Sequence, residues 1–397
     1  MITPERTGER RPRARHKGAV AASVAVRNLR GRRVRRLAAV GVVAALLTGC
    51  TSPSTGAQNG ASTGGVAPRV PLSELQVLDD PRAYEGGSTA VLADADIEPI
   101  DPAPEQQLPV RVVSHDLAGD VEVTVTSTDR IIGFDMAGSI NATLAGLGFA
   151  DRLVGRDISS TFPEVEELPI VTSSAHTINI EAVLSLRPTL VITDGSIGPI
   201  DVVLQLRDAG VPVVFVERDP SIEGILELAR QVAAAVGAPA AGEALAQQLS
   251  QQIDAKIAEI AEIAPDADEQ KLRVVFLYLR GTSGIYYLFG DESGADVLIT
   301  SLGARDVAAE IGWDGMKPVT DEAMVAANPD LVLVMTHGLE SVGGIDGLLE
   351  DRPALALTNA GQHRRFVDMA DGDILGFGPR FPDVLDALAR AFYAPEG

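Results

Sequence analysis

The 397-residue sequence predicts an α/β protein of two lobes with mainly parallel sheets, joined by one long helix. Three observations carry that prediction. Short apolar runs alternate with helical patterns through most of the chain, which builds βαβ units and parallel strands. A stretch near the middle keeps a helical period without a break. The series before that stretch resembles the series after it.

The segments that precede the alternation differ from one another in composition. Up to Gly49 there are eleven Arg, one Lys and two Glu, about +10, whereas the whole chain carries −22, so the remainder carries about −32. A remainder this acidic does not bind nucleic acid or anionic lipid by general electrostatics. Arg30, Arg32, Arg33, Arg35 and Arg36 precede an apolar run from Leu37 to Leu47. That run is shorter than the roughly 20 residues that cross a bilayer, but it suits a signal-peptide core. Residues 1–49 are therefore expected to be a signal peptide. Leu47-Thr48-Gly49-Cys50 ends the run and resembles a bacterial lipobox, which would make Cys50 the lipidated first residue of the mature chain. The alternative is an ordinary cleaved signal with an incidental Cys. Cys50 is the only cysteine, so neither a disulfide framework nor a multi-cysteine metal site can form.

Residues 50–69 are mostly Ser, Thr, Gly, Ala, Asn and Pro and read as a flexible tether. Residues 70–120 are Pro- and Asp-rich and weakly patterned, which suggests an N-terminal arm with little regular structure. The compact part is expected to start near Val121, with an N-terminal lobe over 121–237. There, Val121-Glu-Val-Thr-Val-Thr alternates as a strand does, and Arg130-Ile-Ile-Gly-Phe is a short apolar strand. Helical patterns over 139–147, 180–186 and 202–209 alternate with buried strands over 189–193 and 211–216, and Gly148 and Gly210 stand at helix stops.

A connecting helix is predicted over 238–265. Leu245, Leu249, Ile253, Ile257, Ile260 and Ile263 recur three or four residues apart, with no Pro or Gly from 243 to 264. Such a rod measures roughly 33 Å at about 1.5 Å per residue, enough to join two lobes. The second lobe, 271–397, opens on the strand Arg273-Val-Val-Phe-Leu-Tyr and continues through helices at 295–302 and 321–327 to the strand Leu331-Val-Leu-Val-Met. Ile180-Glu181-Ala-Val-Leu-Ser-Leu-Arg-Pro-Thr-Leu matches Asp321-Glu322-Ala-Met-Val-Ala-Ala-Asn-Pro-Asp-Leu. Both read as a short helix, a Pro-broken turn and a buried strand, the mark of a duplicated lobe.

The sequence contains no Walker A or His-Glu-x-x-His pattern, and its Gly-x-Ser-x-Gly match, Gly60-Ala-Ser62-Thr-Gly64, falls in a Ser- and Gly-rich stretch rather than between a strand and a helix. Its five His do not suggest several ligands converging on a bare Zn or Mn ion. The candidates are therefore binding residues. His176 stands just before a helix and Tyr278 at the carboxyl end of a strand, where open α/β sheets bind ligands. Read alone, His176 could equally be a capping or surface residue and Tyr278 a core residue, with Tyr286 and Tyr287 as competitors. Arg280, two residues from Tyr278, would share its face of the strand. His337 aligns with Ser196 of the first repeat, just past a strand end, and Met335 precedes it. His115 in the arm and His363 in a basic turn are read as solvated, and His16 falls within the signal. Glu181 and Glu322 begin equivalent helices, where acidic residues also suit the helix dipole.

Two such lobes and a long helix behind a lipobox resemble the rigid class of ABC substrate-binding proteins that serve cobalamin, siderophore and haem importers. The resemblance covers about 121–397 and implies Rossmann-like lobes of the periplasmic-binding-protein type. Pro169-Ile-Val-Thr-Ser-Ser-Ala-His176-Thr-Ile-Asn-Ile-Glu181 and Leu277-Tyr278-Leu279-Arg280-Gly281 resemble the two ligand segments of actinobacterial haem-binding lipoproteins. Thr193-Asp-Gly-Ser-Ile-Gly-Pro and Gly376-Phe-Gly-Pro-Arg380 resemble further parts of that family. This resemblance implies His176 and Tyr278 as axial ligands of ferric haem b, one from each lobe. Imidazole and phenolate both ligate haem iron, and the hard phenolate oxygen favours the ferric state. Arg280 would then hydrogen-bond the phenolic oxygen or meet a propionate. Met335 would line the haem, and His337 would be a rival axial ligand or a supporting partner. Glu181 and Glu322 would dock an ABC permease, which works with its ATPase, and Cys50 would anchor the protein at the outer face of the cell membrane. Haem would arrive free or from a haem-carrying donor protein, and the chain would not be an enzyme. The alternatives are a siderophore or cobalamin carrier on the same scaffold, or an envelope metal-dependent hydrolase.

Overall fold

The structure, a computed structural model, describes residues 69–290 and 293–395. These lie in one compact unit. Cys50, the signal segment and most of the tether lie outside the described residues.

The arm carries more structure than its composition suggests. Strand β1 (Ser88–Ala90) joins the edge of the second lobe's sheet, parallel to the last strand of the chain. Three residues are too few to show a period in the sequence, and their partner lies some 280 residues away. The buried guanidinium of Arg365 holds this edge: it donates to Ser88 Oγ at 2.9 Å, Ala391 O at 2.7 Å and Phe392 O at 2.9 Å, and stacks on the Tyr84 ring. From there the arm crosses to the first lobe. Ile97 N–H donates to Glu164 at 2.8 Å, Ile100 N–H to Gly146 O at 2.9 Å and Gln107 N–H to Gly237 O at 2.8 Å. The segment is thus a strap bonded to both lobes. The hairpin that follows, β2 (Val110–Asp116) and β3 (Gly119–Val125), also places its first strand before Val121, where compact structure was expected to begin. Ser114 and Asp116 of β2 take the Arg207 guanidinium, and Ser114 Oγ accepts Phe215 N–H at 2.8 Å, so the hairpin is tied to the first lobe.

The first lobe is a parallel sheet of β4 (Ile131–Phe134), β5 (Leu190–Thr193) and β6 (Val213–Phe215), in the order β4-β5-β6. Every residue of the three strands is buried, as expected of a parallel sheet covered on both faces. The face with Ile132, Phe134, Val191 and Phe215 packs on Val183, Val203 and Leu206, and the other face joins the main core. The helix Pro239–Ala261 leads to the second lobe. Proline at its first turn suits a position where no backbone N–H is needed. Its buried stripe includes Leu245, Leu249, Ile253 and Ile260. Gly242 gives it close approach to the helix Ile222–Ala235, since a Cβ there would stand 2.5 Å from Ala233 Cβ. Lys256 reaches Asp386 of the C-terminal helix Phe381–Tyr393 at 3.0 Å. The rod therefore packs on an element of each lobe.

The second lobe contains β7 (Arg273–Arg280), β8 (Ile285–Phe289), β9 (Arg305–Asp306), β10 (Met316–Pro318), β11 (Leu331–Met335) and β12 (Phe366–Met369). Among the described residues its sheet runs β1-β12-β11-β7-β8-β10, with β9 beside β7. The central pairs are parallel, and β8 returns antiparallel on β7 and β10.

The two repeats agree in local detail. Asn179 caps the helix Ile180–Ser185 by accepting Ala182 N–H at 3.1 Å, and Thr320 caps Asp321–Ala327 by accepting Ala323 N–H at 3.2 Å. Each helix is followed by a left-handed residue, Arg187 at φ 48° and Asn328 at φ 41°, each directly before a Pro. A left-handed stop before Pro ends a helix sharply in both lobes.

Candidate functional site

The carboxyl ends of β4–β6 and of β7 and β11 open toward one cleft between the lobes. His176 enters from the first lobe, on the turn between β4 and β5 that precedes the Ile180–Ser185 helix. Its backbone is left-handed at φ 54°, a region that few side chains other than Asn, Asp and His tolerate. Ser173 holds the turn, accepting His176 N–H on its carbonyl at 2.9 Å and Ala175 and Thr177 N–H on its Oγ, each at 3.2 Å. The imidazole is half-buried and its buried Nδ1 has no hydrogen-bond partner. Burial first, and then the charge of Arg280, hold its pKa below 6.5, while Asp371 opposes them. Two charges of the second lobe thus act on the His of the first.

Tyr278 projects from β7, half-buried, edge-on to Phe289 with centroids 6.0 Å apart. It lies opposite Tyr287 in the ladder, so both share one face of the sheet. Tyr286 points to the other face, where it is 5% exposed and its hydroxyl pKa is pushed up by burial. The sheet thus separates the three Tyr residues that the sequence leaves in competition.

Arg280 lies over the Tyr278 ring, its guanidinium carbon 4.7 Å from the centroid. Its hydrogen bonds go to Leu279 O at 3.0 Å and Asp371 Oδ2 at 3.0 Å. His337 follows β11 with its side chain 77% exposed; its N–H donates to Asp371 Oδ1 at 3.1 Å, and Nδ1 stands 3.4 Å from the same oxygen. Met335 is 5% exposed and packs in the main core, in register with Met369, so its side chain sits beneath the cleft surface. Glu181 and Glu322 are exposed in the first turns of their helices.

Sequence reasoning missed Asp371, which begins the short helix Asp371–Ile374. Nothing local marks it, because its partners stand 34 and 91 residues away in the chain. Also missed was a recess of about 80 Å³, lined by Asp135, Met136, Asp194 and Arg218 of the first lobe and by Phe377 of the second. Asp135 is 3% exposed and accepts the N–H groups of Ala137, Ser139 and Ile140. Burial first, then the charges of Asp194 and Asp157, push its carboxyl well above the usual range. Burial also raises Asp157 to about 6, against hydrogen bonds from Asp135 and Ser160. An Asp directly after a buried strand, four residues before a helix, was the available signal. Among the described residues, no group of three or more His, Cys, Asp or Glu is placed to hold a bare metal ion.

Gly376-Phe-Gly-Pro-Arg380 forms part of the seam at the back of the cleft. A Cβ on Gly378 would meet Ser139 O at 3.5 Å, and one on Gly146 would meet Pro379 at 3.1 Å. Arg380 lies over the first lobe's Phe162 ring and donates to Asp373 at 2.7 Å.

A ligand cleft between two α/β lobes, held open by a long helix and a packed seam, defines a two-lobed binding protein. The chain belongs to the periplasmic binding protein family, whose pattern matches residues 136–371. That family consists of substrate-binding transport proteins. A crystal structure of the heme binding protein HmuT is 40% identical, with a TM-score of 0.73, covering 79% of this chain and 99% of that one. Variants of HmuT with an Arg, a Tyr or a His replaced by Ala have the same fold, and the replaced Tyr and Arg stand two positions apart. An uncharacterized ABC transporter substrate-binding lipoprotein of Bacillus subtilis, YvrC, is 29% identical over 297 residues, 74% of this chain and 89% of that protein. A cobalamin-binding protein of Halobacterium salinarum is 24% identical over 280 residues, 70% of this chain and 73% of that protein.

Proposed function

We propose that this protein captures ferric haem b in the cleft between its lobes and delivers it to an ABC permease for haem and iron uptake. The observation that carries this reading is the convergence of His176 from one lobe with Tyr278 and Arg280 from the other. The charge of Arg280 reaches His176, and its guanidinium covers the Tyr278 ring. The two-residue spacing of Tyr278 and Arg280 is also the spacing of the Tyr and Arg replaced in HmuT.

In this reading His176 and Tyr278 ligate the iron, and the lowered pKa of His176 keeps its imidazole neutral, as a ligand must be. The guanidinium of Arg280 over the Tyr278 ring would balance the negative charge of an iron-bound oxygen there. His337, exposed beside Asp371, contributes a supporting partner or a competing imidazole, and Met335 supports the cleft from beneath. Glu181 and Glu322 dock the permease, Cys50 carries the lipid anchor, and haem arrives free or from a donor protein. The 1–49 signal, the tether and the lobe boundaries at 121–237 and 271–397 belong to the same proposal.

Hemin titration followed by absorbance tests it. Wild type should saturate and develop a phenolate-to-iron charge-transfer band. The band should vanish in Tyr278→Ala, and an unchanged spectrum in that variant would remove Tyr278 as ligand. The relative that binds cobalamin motivates one second reading, and a parallel titration with cobalamin decides between them: saturation by cobalamin and not by hemin would reverse the assignment.

A further inference from the structure

We infer that Asp371 is the positioning residue of this cleft: one carboxylate orders Arg280 over Tyr278 and ties down the backbone at His337. The inference rests on the haem reading for its consequence, though not for its geometry.

Each oxygen of Asp371 has its own task. Oδ2 accepts Arg280 Nη2 at 3.0 Å, while Leu279 O accepts Nη1 at 3.0 Å. A planar guanidinium bonded through both terminal nitrogens cannot swing, so its plane stays over the Tyr278 ring, 4.7 Å from the centroid. A residue two places along a strand shares a face with Tyr278, but that alone leaves a long flexible side chain free to point elsewhere. Asp371 removes that freedom. Oδ1 accepts the backbone N–H of His337 at 3.1 Å, fixing the chain where it leaves β11.

Asp371 is itself fixed by both lobes. A Cβ on its neighbour Gly372 would stand 2.6 Å from Thr161 Oγ1 and 2.9 Å from Ser159 O, so the helix start lies directly on the first lobe. Two residues on, Asp373 holds Arg380, which lies over Phe162 of the first lobe. Asp371 therefore relays the relative placement of the lobes to the groups that meet the ligand. Its side chain is 25% exposed, open enough for an arriving anionic group to compete for Arg280.

Two measurements test this. In the ligand-free protein, arginine side-chain NMR should show restricted rotation of the Arg280 guanidinium in wild type and free rotation in Asp371→Ala, with Asp371→Glu partly restoring it. Restricted rotation that persists in Asp371→Ala would overturn the inference whether or not the protein binds haem. Hemin titration should then give Asp371→Ala about tenfold weaker binding and a shifted charge-transfer band. In an Arg280→Ala background the same replacement should add little, because its effect runs through Arg280. A full and additive loss in that background would mean Asp371 merely supports the fold. Wild type that orders Arg280 but ignores hemin would sink the haem reading and leave the positioning role standing.

Discussion

The two lobes are alike at one end and unlike at the other. At the starts of Ile180–Ser185 and Asp321–Ala327 they share a side-chain cap, an exposed Glu, a left-handed stop and a Pro. At the cleft the first lobe offers His176 from a turn with an unpartnered nitrogen, whereas the second offers Tyr278 from a central strand with a paired neighbour on either side. The two repeats therefore share their helix starts and differ at the cleft. A strand is bonded to a neighbour on each side, whereas the His176 turn is held by bonds within itself.

The likeness is broken most completely by replacing both Glu181 and Glu322 with Ala. Uptake in reconstituted transporter should fall to background with hemin affinity unchanged, and each single variant should lose part of it. One exposed ion pair contributes only about 0–1 kcal/mol, but two at a fixed span reinforce one another. Full uptake by the double variant would return both residues to a helix-dipole role. The unlikeness is tested next. Tyr278→Ala should weaken hemin binding by about 100-fold or more, because it removes a ligand held on a strand paired on both sides. His176→Ala should cost only about tenfold, since a ligand on an adjustable turn is more readily replaced by water or by His337. Equal losses in the two variants, measured by titration under one condition, would contradict the division into fixed and adjustable sides.

The smallest effect concerns the buried acids of the first lobe. The folded pKa of Asp157 is about 6, raised by burial from 3.8, so the folded protein holds this proton more tightly than the unfolded chain. That contribution is complete below about pH 3.8 and is lost as the pH rises toward 6. Asp157→Asn should therefore gain stability relative to wild type as the pH rises through this window. Denaturant melts at pH 4 and pH 6.5 measure it; a constant difference between the proteins would show that Asp157 does not titrate there. The second lobe's sheet lacks an equivalent pair of buried acids at its cleft ends among the described residues.

Much of the molecule was legible because its signals are local. Alternating apolar runs mark β4–β6 and β11, since a buried parallel strand must be apolar on both faces. The period of Leu245, Leu249, Ile253 and Ile260 marks the rod, since one stripe must face both lobes. The match of the two helix–Pro–strand series requires only comparison of the chain with itself. His176, Tyr278 and Arg280 could be named from the segments around them, although their types alone allowed ordinary core and surface roles.

What the sequence by itself determined is this order of elements, the repeat and the choice of candidates. Their assembly was decided in three dimensions. β1 joins an edge with a partner some 280 residues away, so no local pattern announces it. Met335 turns into the core and Tyr286 to the far face of the sheet because register, not composition, assigns a side chain to a face. Arg280 lies over the Tyr278 ring because Asp371, 91 residues further on, holds it there. A hydrogen bond between distant residues leaves no trace in either neighbourhood, and only the packing of one lobe against the other brings its two ends together.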